Sequence, residues 1–162
     1  MLVKEDWVNH SSFEKKGGGN AFNYNYNLFI RSMMIELEKM TLLSVLENSA
    51  EKYSHRPAFS FVDSEKISYK EFKSRVETVS GFLKGEGIIA GDKVAILSEN
   101  QPNWGVAYFA ITTIGAVAVP IMTEFHSTEV QHILRHSECK AVFISAKYFN
   151  KIDEANIDSL NI

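Results

Sequence analysis

The chain has 162 residues, of which 45% are hydrophobic and 23% charged; this is a globular balance, long enough for one α/β domain with a core or for a piece of something larger. Its formal net charge of −3 excludes the basic excess that a nucleic-acid-binding surface needs. No apolar run reaches the roughly 18–20 residues of a membrane span, and the longest, residues 106–121, is interrupted by Thr112, Thr113, Gly115 and Pro120.

Residues up to about Arg31 read differently from the rest. Gly17, Gly18 and Gly19 precede the polar–aromatic run NAFNYNYN at residues 20–27, which has neither helical nor strand periodicity. Residues 1–33 are therefore expected to form a disordered tail. A phosphate-binding glycine loop would need a strand before it and a helix after it, and neither is visible. Met33, Met34 and Met40 are alternative starts if the tail is an over-extended reading frame. Acidic Glu5 and Asp6 sit early and no apolar stretch precedes a small-residue cleavage site, so a secretory leader is not expected.

From Thr41 the pattern is regular. Leu42, Leu46, Ala50 and Tyr53 recur at helical spacing behind Thr41 as cap, and Pro57 stops that helix. Residues 58–62 alternate like a strand, residues 63–66 read as a turn, and a short strand is expected around Ile67. SYKEF at residues 68–72 has the capping-box form; the helix it opens places Phe72, Val76, Val79, Phe82 and Leu83 on one face, with Gly85 expected to end it in a left-handed conformation. Val94, Ala95, Ile96 and Leu97 make the unbroken apolar run of a buried parallel strand. Pro102 opens a helix that is apolar nearly all round and so expected to be deeply buried. A strand at residues 116–119 ends at Pro120, Ser127 caps a helix carrying Val130, Ile133 and Leu134, and residues 141–144 form a further strand. Residues 147–162 begin as a helix and then turn polar, as though the chain were cut there. The fold class is α/β: a parallel-sheet subdomain of alternating strands and helices.

Several patterns invite chemistry. Gly85, Gly87 and Gly91 approach the dinucleotide fingerprint, but the third glycine falls one residue late and the segment lies between a helix and a strand, the wrong order. His132 and His136 lie four apart on one helical face with Glu129 a turn earlier, a spacing suited to zinc. The metalloprotease pattern wants glutamate where Ile133 stands, so a solvated face is the expectation. Cys139 has no base beside it and no partner for an internal disulfide; it reads as a structural thiol of a reducing compartment. Neither a serine-hydrolase elbow nor a classical phosphate loop occurs. SENQPNW at residues 98–104 leaves the carboxyl end of a buried strand and enters a buried helix, where ligands gather in open α/β sheets. Glu99 and Asn100 can there serve a ligand or, more simply, cap the helix and satisfy loop backbone groups.

At these residues the sequence resembles a known family. DKVAILSENQPNW at residues 92–104 is similar to the opening subdomain of the acyl-adenylating enzymes, which include AMP-forming acyl-CoA synthetases, peptide-synthetase adenylation domains and firefly luciferase. SYKEF resembles their helix start, and GAVAVP at residues 115–120 resembles the strand after their buried helix. The resemblance covers residues 41–148, and TEFH at residues 123–126 with residues 129–133 looks most like the long-chain fatty acid branch.

The resemblance implies that residues 34–162 are part of the N-terminal subdomain of an adenylate-forming domain. The parent would be a fatty acid–CoA ligase using ATP, Mg2+ and coenzyme A, and making an acyl-adenylate and then a thioester. In the family a Ser/Thr/Gly-rich phosphate loop, a magnesium glutamate, a ribose aspartate and a lysine of a small C-terminal domain do that work. None of these motifs stands in this sequence. No catalytic, cofactor-binding or metal residue is therefore carried over, no cofactor is expected to bind this piece tightly, and the piece alone is expected to be inactive. The remaining expectations are a fatty acid substrate for the parent, no nucleic-acid partner, a cytoplasmic location compatible with peripheral membrane contact, and self-association through apolar surface. A stand-alone, non-catalytic α/β binding module is the alternative.

Overall fold

The computed structural model describes residues 39–61 and 66–152; the expected tail, residues 63–65 of the turn expected at 63–66 and the polar stretch from residue 153 lie outside them, while Lys66 stands in a strand rather than in the turn. All described residues fall in the unit Leu37–Ile162.

Helix α1 (Leu42–Lys52) starts where Thr41 accepts a hydrogen bond from the Ser44 N–H at 3.1 Å. After it, β1 (Pro57–Ser60) and β2 (Lys66–Ser68) pair antiparallel in a small sheet of their own. Ser68 is both the last residue of β2 and the cap of α2 (Tyr69–Gly85). The capping box is complete: the Glu71 carboxylate accepts from the Ser68 N–H at 2.8 Å, and the Glu71 N–H donates to Ser68 Oγ at 3.3 Å.

Two details of α2 depart from the sequence reading. Gly85 remains helical, and Gly87, with φ +82°, takes the left-handed place. That register lets the Ile88 N–H reach the Leu83 carbonyl and the Gly87 N–H reach the Lys84 carbonyl, the Schellman pattern, while Ile88 folds onto the same core as Leu83. Phe82 lies at the margin of the apolar stripe and is 54% exposed. Ser80 takes the buried place, its hydroxyl donating to the Ala110 carbonyl at 3.1 Å across the contact between α2 and the helix α3 (Pro102–Thr113).

The parallel sheet has the order β4–β3–β5, with β3 (Lys93–Leu97) between β4 (Val117–Pro120) and β5 (Ala141–Ile144). Val94 pairs in register with Ala118 on one side and Ala141 on the other. From Val94 to Leu97 no residue is more than 1% exposed, as the unbroken apolar run requires. Side chains alternate between two cores. Val94 and Ile96 pack with Leu46, Phe72, Val76 and Leu83 and with α3 (Pro102–Thr113). Ala95 and Leu97 pack on the opposite face with Val130 and Leu134 of α4 (Ser127–Ser137) and with Ile152 beyond a 3-10 turn, Ala146–Lys151.

Three further details shape the fold. Gly115, with φ +80°, begins the entry to β4, and a Cβ there would sit 3.0 Å from the Ala90 Cβ. His126, not Ser127, is the N-cap of α4; its backbone N–H donates to the Glu129 carboxylate at 2.8 Å, so Ser127 becomes the first helical residue. Helix α3 is less deeply buried than its composition suggests: Val106, Ala107, Ala110 and Ile111 are buried, whereas Trp104, Tyr108 and Phe109 are half-buried. The sheet and α2 cover only part of a helix that is apolar all round.

Candidate functional site

β3 and β5 lie side by side and parallel, yet their outgoing loops part to opposite faces. Residues 98–101 lead from β3 into α3, whereas Ser145 leads from β5 into the 3-10 turn, whose Tyr148 packs in the other core. Diverging loops at the carboxyl ends of neighbouring parallel strands open a crevice, the ligand position of open α/β sheets.

Two short bonds shape this crevice. The Ser145 N–H donates to the Leu97 carbonyl at 3.1 Å, continuing the β3–β5 ladder by one step. The Ser145 hydroxyl donates to Glu99 Oε2 at 2.6 Å. That bond is the main reason the Glu99 carboxyl sits below its ordinary range; the residue's own backbone N–H and the charge of Lys147 add to it. Next to them the Gln101 side-chain amide donates to Ser98 Oγ at 2.8 Å, and Ser98 Oγ donates to the Glu99 carbonyl at 3.2 Å.

Glu99 therefore neither caps α3 nor points unpartnered at a ligand: it ties two loops together across the crevice. Asn100 is exposed, and α3 has no side-chain cap bond at all. Sequence reasoning missed Ser145. Its only local signal is its place, the first residue after a parallel strand, which Ser98 shares.

Cavities flank the start of α3 on both sides. One of about 350 Å³ is lined by Ser98, Gln101, Asn103, Trp104, Phe143 and Ser145. The other, an apolar cleft of about 510 Å³, runs between Phe59 and Phe61 of the hairpin region and Gln101, Trp104, Tyr108 and Phe109. Trp104 lines both and stacks on Tyr108 with centroids 5.3 Å apart and planes 10° apart. Gly105 keeps the cleft closed at its floor, because a Cβ there would meet the Phe59 ring at 3.1 Å.

The third carboxyl-end loop, residues 121–126 after β4, is held from the 3-10 turn. Lys151 Nζ donates to the carbonyls of Thr123 and Phe125, each at 2.7 Å, and lies 5.4 Å from the centre of the Tyr148 ring. The edge is thus stapled twice, by Glu99–Ser145 and by Lys151.

The other candidates fall elsewhere. The Gly85–Gly91 stretch is the end of α2 and a turn. Cys139 is buried, its thiol pushed up by desolvation, with Ser137 Oγ 3.0 Å from Sγ. His132 and His136 lie on an exposed face of α4, away from the crevice. Among the described residues no three His, Cys, Asp or Glu side chains converge on a common point, and no helix is long and apolar enough to cross a membrane.

Residues 46–161 match the family described as AMP-binding enzyme. YngI of Bacillus subtilis, named as an acyl-CoA synthetase, is 33% identical over 116 residues, which are 71% of this chain and 21% of that protein. The 4-hydroxybutyrate–CoA ligase 2 of Metallosphaera sedula is 28% identical over 115 residues, 71% of this chain and 21% of that one. Among solved structures, a Mycobacterium tuberculosis fatty acyl CoA synthetase superposes with a TM-score of 0.66 at 27% identity, over 70% of this chain and 23% of that one. The chain spans about a fifth of the length of the relatives it matches.

Proposed function

This chain belongs to the family of AMP-binding enzymes, and on that premise we propose that it is the N-terminal part of an ATP-dependent, AMP-forming fatty acid–CoA ligase. The observation that carries this reading is the family match over residues 46–161, which takes in β3, α3, β4, α4 and β5 in order, with the crevice at their carboxyl ends. The relatives named above fix no single acid: one is named only for acyl groups, the other for 4-hydroxybutyrate. The fatty acid assignment rests instead on residues 123–126 and 129–133, which resemble the long-chain branch.

In the parent reaction a carboxylate oxygen of the acid attacks the α-phosphorus of ATP and the bond to pyrophosphate breaks. The thiol of coenzyme A then attacks the acyl carbonyl, and AMP leaves. The described residues do not fit a magnesium–triphosphate group: no three acidic or imidazole side chains converge, and Glu99 in the crevice already accepts from Ser145. No step of the ligation is assigned to this chain. Its residues shape the edge of the sheet and fix the loops against which the rest of such an enzyme would close. A cytoplasmic location, with peripheral membrane contact, belongs to the same proposal.

Two measurements test the reading. Fatty-acid-dependent exchange of pyrophosphate into ATP is expected to be absent with this chain alone; exchange above background would show that the division between scaffold and chemistry is drawn in the wrong place. Grafting residues 41–152 into a relative, in place of its matching segment, is expected to preserve acyl-CoA formation. A folded chimera without activity would sink the proposal.

A second reading, a stand-alone binding module, is favoured by the two cores, which among the described residues lie on both faces of the parallel sheet. The half-buried Trp104, Tyr108 and Phe109 separate the two. A piece of a larger enzyme is expected to bind a hydrophobic dye or self-associate through this face, and Tyr108→Glu to reduce both. A dye-silent monomer that unfolds cooperatively would favour the module.

A further inference from the structure

Helix α4 carries two imidazoles that the proposed ligation does not use. His132 and His136 are both exposed, and their rings lie parallel, with centroids 5.8 Å apart and planes 8° apart. Residues four apart on a helix lie one above the other on one face, and this is the spacing by which helical metal sites bring two imidazoles to one ion. Among the described residues neither ring has a hydrogen-bond or ion-pair partner to give up. Glu129, one turn earlier, is committed to the His126 N–H, so it does not hold either ring. His136 lies in the last turn of α4, where the negative end of the helix favours a bound cation.

The geometry points to a two-imidazole chelate on α4 for one divalent transition-metal ion of the zinc, nickel or copper class. Zinc–imidazole bonds are about 2.0–2.1 Å long, and two exposed imidazoles four apart on one helical face are placed to offer one nitrogen each to a single ion. No third protein donor converges among the described residues, so water completes the coordination and the ion exchanges with solution. Ile133 occupies the place where a helical metalloprotease carries its general base. The bound ion therefore has no base beside it, and the site binds without hydrolysing.

Calorimetric titration of the intact chain with zinc chloride, at about pH 7.5, is expected to show one saturable site. His132→Ala and His136→Ala are each expected to lower affinity by about tenfold or more, at least the effect of losing an outer-shell partner. His126→Ala, at the N-cap of the same helix, should leave affinity unchanged. Both positions are exposed, so the fold is expected to survive; if circular dichroism shows otherwise, glutamine replaces alanine at that position. Saturable binding that survives loss of both rings, or no saturable binding by the unaltered chain, overturns the inference.

Discussion

Glu99 and Ser145 meet across the crevice in one 2.6 Å hydrogen bond, and the bond has a direction in pH. The folded carboxyl is held below its ordinary value of 4.5, chiefly by Ser145. A depressed carboxyl stabilises the fold fully above the unfolded value, and that contribution is lost as pH falls through the folded one. Ser145→Ala is thus expected to lower the denaturation midpoint at neutral pH, and the gap from the unaltered chain should close as pH drops below 4.5. Denaturant titrations across that range check it; a gap that widens in acid would mean the hydroxyl acts otherwise. This pair also marks a limit of sequence reading. Glu99 stands out at the end of an apolar run, but its partner lies 46 positions on, in a stretch with no motif of its own. Only the parallel pairing of β3 with β5 brings them together. Lys151 is illegible for the same reason, since its two acceptors are backbone carbonyls of residues 123 and 125.

Among the helices and strands, three glycines with different demands make a graded test. Gly85 is helical with open space around its Cα, so Gly85→Ala should stabilise by about 0.4–1 kcal/mol through the unfolded chain. Gly87 has φ +82° but also open space; alanine there should cost about 1–2 kcal/mol from the left-handed backbone alone. Gly115 adds to φ +80° a contact of 3.0 Å with the Ala90 Cβ, so its alanine variant should be the least stable of the three. Thermal or denaturant unfolding of the set reads the order, and a Gly85→Ala that ranks with Gly115→Ala would refute it. The elements themselves were legible because their signals are local: a capping box at Ser68, β3 apolar without break, a proline at the first turn of α3. Choosing Gly87 over Gly85 was not legible, because it depends on Ile88 folding back beside Leu83.

At the scale of the molecule, helices on two faces of a parallel sheet follow from strand–helix alternation, and the structure has that form. The depth of each helix does not follow from composition. Helix α3 is apolar all round, yet the sheet and α2 leave Trp104, Tyr108 and Phe109 half-covered. The strand order has a further consequence, for the time course of folding. β3 is the middle strand, yet it comes first of the three in the chain, and the strand on its far side comes last. While the chain emerges from a ribosome, residues 94–97 are therefore released with two unpaired edges and no sheet to join. The β4 edge closes first, and the β5 edge stays open until all of α4 has been synthesised and folded across the back. Non-local parallel pairing is slow, and an open apolar edge invites wrong partners meanwhile. Residues 94–97, no more than 1% exposed once folded, are thus among those that the nascent chain leaves uncovered until β5 has been made.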